Sequence, residues 1–174
     1  MTRYAGHATE LAEAAAQDAF DAVVGVGGDG TLHEIANGLM CVANPPPLAA
    51  VPAGSGNDFV RNLQLPTRAD EAVDLVWNGT VERMDVLRCG DRHVLIAAGV
   101  GLDARAAAIA RRVPRRLRVG TLPYVLGALF ALARSRTYAL RVSIDGYRTE
   151  QPRLMVVVAN VQCYAGGMQI CLGR

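Results

Sequence analysis

The sequence predicts an α/β protein, with an open α/β domain over residues 1–79 followed by the opening strands of a β-rich domain over residues 80–174. Two observations carry this. A short apolar run that ends in a glycine loop and continues as a helical pattern occurs twice before Asp70. After Gly79 the alternation of strand and helix gives way to mostly strand signals punctuated by turn dipeptides.

The elements follow in order. Thr9 to Phe20 reads as an alanine-rich helix, and Asp21 to Val26 (DAVVGV) as a short buried strand running into Gly27 and Gly28. Leu32 to Met40 spaces Leu32, Ile35, Ala36 and Leu39 at helical intervals. Asn44 to Pro47 is a proline-rich break, Leu48 to Val51 a second strand, and Pro52 to Asn57 a second glycine loop leading into a helix through Val60 and Leu63. Asp70 to Trp77 is helical, with Thr67 as a candidate cap, Val73, Val76 and Trp77 on one side, and Asn78 and Gly79 as the stop. Strands are expected at Val81 to Leu87 and His93 to Ala98, joined at Gly90 and Asp91. Helices follow at Leu102 to Arg112 and Tyr124 to Arg134, then strands at Tyr138 to Ile144 and Leu154 to Ala159, with a turn signal at Asp145 and Gly146.

Composition narrows the chemistry. Half of the 174 residues are hydrophobic, enough for a sizeable core. The longest apolar run, Leu122 to Ala133, is broken by Pro123 and Gly127 and falls short of the roughly 20 residues a bilayer span needs. No secretory leader pattern is visible in Met1 to Gln17, so a cytosolic address is the default expectation. Cys41, Cys89, Cys163 and Cys171 form no CxxC pair and read as buried reduced thiols. A net charge of +2 gives no ground for a nucleic-acid partner. Every one of the 18 basic residues counted as Lys+Arg is arginine. A Walker-type phosphate loop and a lysine nucleophile are therefore both excluded, and phosphate must be met by backbone amides, arginine, hydroxyls or a metal ion.

The first loop, GGDGT at Gly27 to Thr31, stands between strand and helix and offers inward amides and a helix start. Asp29 beside phosphates would repel them unless it served a cation, which points to metal-nucleotide; the alternative is a tight turn in which Asp29 and Thr31 cap the next helix. The second loop, PAGSGNDF at Pro52 to Phe59, adds the Ser55 hydroxyl, the Asn57 amide and the Asp58 carboxylate, with helix capping by Asn57 or Asp58 as the plainer role. In an open parallel sheet both loops lie at the carboxyl ends of the strands, where ligands bind.

GGDGTLHEIANGL (Gly27 to Leu39) followed by PAGSGNDFVRNL (Pro52 to Leu63) resembles the catalytic domain shared by diacylglycerol kinases, sphingosine kinases and bacterial lipid kinases. The GGDGT loop alone is also found in NAD kinases and phosphofructokinases; the GSGNDF segment points to the lipid-kinase branch. The similarity runs on through Met84 and Asp85, GVGLDA (Gly99 to Ala104), Arg118 to Tyr124, IDG (Ile144 to Gly146) and VANVQCYAGGM (Val158 to Met168). It implies a Rossmann-like nucleotide domain followed by a β-sandwich, and ATP-dependent transfer of a γ-phosphate to a lipid hydroxyl such as that of diacylglycerol. It further implies that Gly27, Gly28, Asp29, Gly30 and Thr31 contact the ATP phosphates with Leu32 and His33 just behind, that Ser55, Asn57 and Thr2 attend the nucleotide, and that Asp29, Asp58 and Asp85 organise Mg²⁺ through water.

The same resemblance implies truncation at both ends. The family begins with a strand and an asparagine-proline segment before the equivalent of Thr2, and continues about a hundred residues past the GGM element with the acid that serves as general base. No catalytic base is expected within residues 1–174. A non-catalytic nucleotide-binding remnant and a kinase of the NAD-kinase branch are the alternative readings. Arg105, Arg111, Arg112, Arg115, Arg116 and Arg118 can meet an anionic membrane surface, though a solvated helix end is the plainer account. Tyr124, Leu126, Leu129, Phe130 and Leu132 read as core before they read as a lipid-tail groove, and Trp77 reads as core. His7, His33 and His93 form no ligand set. A sheet with an open edge predicts self-association as a homo-oligomer.

Overall fold

A computed structural model describes residues 1–18, 20–112, 127, 130, 132–133, 136–164 and 168–169. By its internal contacts the chain divides into two compact units, Met1–Ala97 with Asn160–Arg174, and Ala98–Ala159. The boundary expected near Gly79 falls inside the first of them.

In the first unit, helix α1 (His7–Gln17) leads to strand β1 (Val23–Gly27), helix α2 (Asp29–Leu39), strand β2 (Leu48–Pro52), the short helix α3 (Asp58–Asn62) and helix α4 (Ala69–Asn78). Strands β1 and β2 pair in parallel, from Val23 opposite Leu48 to Gly27 opposite Pro52. That register brings both strands to their carboxyl ends together, so each glycine loop leaves from the same edge. Helix α2 crosses β1 at Gly25, where a Cβ would stand 2.8 Å from both Ile35 Cδ1 and Leu32 Cδ2. The missing side chain is what lets the helix lie against the strand.

Two apolar clusters hold the unit. Leu32, Ala36, Ala50, Phe59, Val60 and Leu95 form one, with Leu65, Val86 and Ile96 at its margin. Ala8, Ala12, Ile35 and Leu39 form the other. Ala8 and Ala12 stand one turn apart on α1 and leave room for α2, whose Gly38 meets the Thr9 carbonyl so closely that no side chain fits between them. Only one face of β1 is covered among the described residues. Val24 and Val26 are exposed, so β1 is not the fully buried strand its apolar run predicts.

Helix α4 also departs from expectation. Ala72 is its one buried residue, Val73 is exposed, and Trp77 is 82 % exposed rather than core. Trp77 stands five positions beyond Ala72, which on a helix of 3.6 residues per turn points it well away from the packed side. Thr67 does not cap this helix; the N-cap position falls on Arg68, without a side-chain cap bond. Residues 79–86 form no strand, Val81 and Met84 lie exposed, and pairing begins only at β3 (Leu87–Cys89), which forms a hairpin with β4 (Arg92–Val94). Gly90 adopts φ +60 at the first turn position, as a two-residue hairpin loop of this kind requires. A bend at Leu95 and Ile96 then splits the expected His93 to Ala98 strand, because Leu95 turns into the core. The short antiparallel pair β9 (Cys163–Tyr164) and β10 (Met168–Gln169) completes the described part of this unit.

In the second unit, β5 (Ala97–Gly101) runs into α5 (Leu102–Arg112) and pairs with β8 (Met155–Ala159). Strand β6 (Tyr138–Ile144) folds back on β7 (Tyr147–Arg153) in an antiparallel hairpin from Tyr138 opposite Arg153 to Ile144 opposite Tyr147. Asp145 and Gly146 both take positive φ, 47 and 85, the pattern of a type I′ turn. The sequence points to this turn but not to β7, whose YRTEQPR composition is polar and contains Pro152, a residue tolerated on strands that leave one edge unpaired.

No described helix is long and apolar enough to cross a membrane. Cys41, Cys89 and Cys163 are free thiols, but Cys41 and Cys89 are exposed rather than buried because they sit at a helix end and a hairpin turn. The expected helix over Tyr124 to Arg134, with most of its apolar stripe, lies largely outside the described residues, as do Arg115, Arg116, Arg118 and Cys171. Phe130 and Leu132 are exposed.

Candidate functional site

The site is built where β1 and β2 end. Ala53 donates its amide to the Gly27 carbonyl at 2.9 Å, extending the parallel ladder by one bond and drawing the second loop against the first. The contact is backbone on backbone. A Cβ on Gly54 would stand 2.5 Å from Gly28 Cα, and one on Gly28 would stand 2.9 Å from Gly54 Cα. Both glycines are needed for the loops to touch at all, since ordinary carbon contacts begin near 3.5 Å.

The first loop becomes helix α2 without a side-chain cap. Gly28 occupies the N-cap position, and its carbonyl accepts from Thr31 N at 2.9 Å and Leu32 N at 3.1 Å. The amides of Asp29 and Gly30, at the first two helical positions, have no intrahelical acceptor and form the positive end of the helix dipole. A Cβ built on Gly30 meets nothing within 4 Å, so the helix start stands open. Thr31 folds its side chain over Gly27, whose Cβ would lie 2.7 Å from Thr31 Oγ1.

Asp29 reaches across to the second loop. Its Oδ1 accepts from Phe59 N at 2.9 Å, so it caps α3, which has no side-chain cap of its own. Its Oδ2 lies 3.2 Å from the Cβ position of Gly56, and Asp58 Oδ2 lies 3.8 Å from that same point. The two carboxylates thus flank Gly56, and Asp58 is the buried charged residue of the described core. A buried carboxylate is retained only where something compensates its charge.

The remaining expected residues take several parts. Asn57 sits at the α3 N-cap in left-handed conformation, yet its carboxamide serves the loop: Gly54 N donates to Oδ1 and Nδ2 donates to Gly54 O, each at 3.0 Å. Ser55 is exposed at the loop tip. The Leu32 side chain is committed to the core. His33 is half-buried; burial first, then the Arg92 charge, holds its imidazole below the ordinary 6.5, with Glu34 opposing. Thr2 lies in the exposed segment before α1. Asp85 is exposed, and its carbonyl accepts from Asn160 Nδ2 at 2.6 Å. Among the described residues no three His, Cys, Asp or Glu side chains converge on a point that could hold a metal ion directly. Asp29 and Asp58 are brought together; Asp85 does not complete a three-acid group with them.

Sequence reasoning passed over Gly54, Gly56 and Asn62. The small residues of PAGSG are visible in the sequence as a loop signal, but which of them meets a neighbour depends on the β1–β2 register.

The described site is thus a parallel β–loop–α arrangement whose two glycine loops close on one another with two acids beside Gly56. Residues 1–89 match the diacylglycerol kinase catalytic domain, and residues 96–172 match the YegS C-terminal NAD kinase beta sandwich-like domain. The chain belongs to the diacylglycerol kinase catalytic-domain family, with a β-sandwich-like region after the catalytic domain. It is similar to the diacylglycerol kinase of Bacillus subtilis (strain 168), with 33% identity over 172 residues, 97% of this chain and 55% of that protein. The diacylglycerol kinase of Staphylococcus aureus (strain JH9) is 30% identical over 168 residues, 95% of this chain and 52% of that protein. A crystal structure of a diacylglycerol kinase from Bacillus anthracis str. Sterne superposes with a TM-score of 0.73 at 28% identity, covering 95% of this chain and 54% of that one. The chain spans about half the length of the relatives it matches.

Proposed function

We propose that this chain carries the Mg·ATP-binding half of a lipid kinase that transfers the γ-phosphate of ATP to a lipid hydroxyl such as that of diacylglycerol. The observation that carries the reading is the Gly28–Gly54 closure, which sets the open start of α2 beside two acids that flank a glycine. The free amides of Asp29 and Gly30 suit phosphate oxygens, and the open space at Gly30 suits their approach. With no lysine in the chain, these amides are the phosphate donors that the loop itself presents.

Asp29 and Asp58 fit Mg²⁺ held through its water shell, the mode this ion favours because it dehydrates reluctantly. When bound, Mg²⁺ supplies charge neutralisation between the phosphates. The chain's own part is positional. Asp29 keeps one oxygen on Phe59 N and turns the other toward Gly56, while Asn57 fixes the second loop so that Ser55 is presented at its tip. Names of the relatives support diacylglycerol as the acceptor class.

The test is calorimetric titration of this chain with Mg·ATP, followed by transfer of labelled γ-phosphate to mixed-micelle diacylglycerol, with sphingoid base and NAD as competing acceptors. Binding abolished by Asp29→Asn supports the site. Transfer to NAD in preference to lipid would overturn the lipid reading, and absence of Mg·ATP binding would overturn the nucleotide reading.

A further inference from the structure

We infer that Asn62 is a positioning residue that holds the Asp58 end of α3 in register with the Asp29 cap; this rests on the nucleotide reading above. A carboxamide has two donor hydrogens and one acceptor oxygen. Asn62 spends all of them in two directions. Its Nδ2 donates to Asp58 O at 2.7 Å and to Cys163 O at 2.6 Å, and its Oδ1 accepts from Cys163 N at 2.9 Å. The exchange with Cys163 imitates a pair of strand hydrogen bonds, so α3 is tied by a side chain to the backbone of β9, 101 residues further on.

The tie matters because α3 is only five residues long and has no cap of its own. A helix this short is unstable unless held from outside. It is held near its start by Asp29 Oδ1 on Phe59 N and at its end by Asn62 on Cys163, and Asp58 is the first residue of the helix, next to Phe59. The Asn62 bond to Asp58 O fixes the residue whose buried carboxylate flanks Gly56. Loss of the tie removes one restraint on the backbone of Asp58 without touching its carboxylate.

The fold supplies its own control. Asn37 on α2 makes the same set of bonds, donating to His33 O and His93 O at 2.8 Å each and accepting from His93 N at 2.9 Å. Its bond within the helix falls on His33 and not on an acid of the loops. Asn37→Ala and Asn62→Ala therefore remove equal hydrogen bonding and differ in what they release.

The experiment compares the two variants in this chain by thermal unfolding, by Mg²⁺ titration of ATP binding, and by hydrogen exchange at the Phe59 amide in ligand-free protein. Both should unfold earlier. Only Asn62→Ala should raise the Mg²⁺ needed for half-saturation, by about 10-fold or more, as loss of a group that orients a metal-binding acid does, and only it should speed exchange at Phe59. Asn62→Asp should behave like Asn62→Ala, because a carboxylate turns lone pairs toward Asp58 O and Cys163 O, whereas a residue needed only for its volume would tolerate the swap. If Asn62→Ala fails to fold, Asn62→Ser, which keeps one donor and one acceptor, carries the same comparison. Equal Mg²⁺ shifts in the two variants, or none, overturn the positioning role. A wild-type chain that binds no Mg·ATP overturns the nucleotide reading and the functional half of this inference, and unchanged Phe59 exchange overturns the tie itself.

Discussion

Gly54→Ala places one methyl group where two loops meet. The new Cβ stands 2.5 Å from Gly28 Cα, 3.2 Å from Gly28 N and 2.8 Å from Asn57 Oδ1. Carbon atoms pack at about 3.5–4.0 Å, so the Gly28 contact is short by roughly 1 Å, and the opposing atom is backbone, with no rotamer to escape into. Forced overpacking of this kind costs about 1–3 kcal/mol, and displacing Asn57 from Gly54 adds about 1 kcal/mol, for a total near 2–4 kcal/mol. At about 2–4 °C per kcal/mol for a chain of this size, Tm should fall by about 4–16 °C. Thermal unfolding followed by circular dichroism reads the stability, and Mg·ATP titration well below the variant's Tm reads the site. Binding should be lost even where the variant is folded, because the loops must part to admit the methyl. A variant with wild-type Tm and wild-type binding would refute the account of the closed loops.

Gly30→Ala should do the opposite to stability: its Cβ meets nothing and alanine is the better helix former by about 0.5–1 kcal/mol, yet Mg·ATP titration should show weakened binding because the methyl occupies the phosphate approach. Asp29→Ala should cost about 1 kcal/mol through loss of the α3 cap, whereas Asp29→Asn keeps an acceptor for Phe59 N; denaturant titration should separate them while both lose Mg²⁺-dependent binding. His33 has its folded-state pKa lowered below 6.5, so the unfolded chain binds more protons between the two values and stability should fall as pH drops from about 6.5 through the lowered value. The Tm difference between pH 7.5 and pH 5 should shrink in His33→Gln. Trp77→Ser should change stability by less than about 0.5 kcal/mol in urea unfolding, as expected of an exposed side chain.

What could be read in the sequence was what local periodicity and turn chemistry encode. The β1–loop–α2 and β2–loop–α3 units, the limits of α5 and β6, and the turns at Gly90 and at Asp145–Gly146 all follow from spacing within a dozen residues. The asparagines show where such reading ends. Asn37, Asn62 and Asn160 bond to His93, Cys163 and Asp85, partners 56, 101 and 75 residues away, and nothing near them in sequence marks a partner. Exposure of Trp77 was hidden for a related reason: a helix pattern shows that an apolar stripe exists, not which neighbour covers it. Of the expected site residues, Asp29 and Asp58 meet because the β1–β2 register aligns their loops, a fact set by pairing and not by either motif alone.

Helix α2 also lends its acids outward. Asp29 caps α3, and Glu34 Oε2 accepts from Ala8 N at 3.3 Å at the start of α1, whose own cap position is Gly6 with no side-chain bond. For both α1 and α3, a side chain from α2 therefore accepts a first-turn amide. Opening of α2 should therefore raise amide exchange at Ala8 and Phe59 together. A change at Asp29 therefore acts on α3 as well as on the loop that carries it.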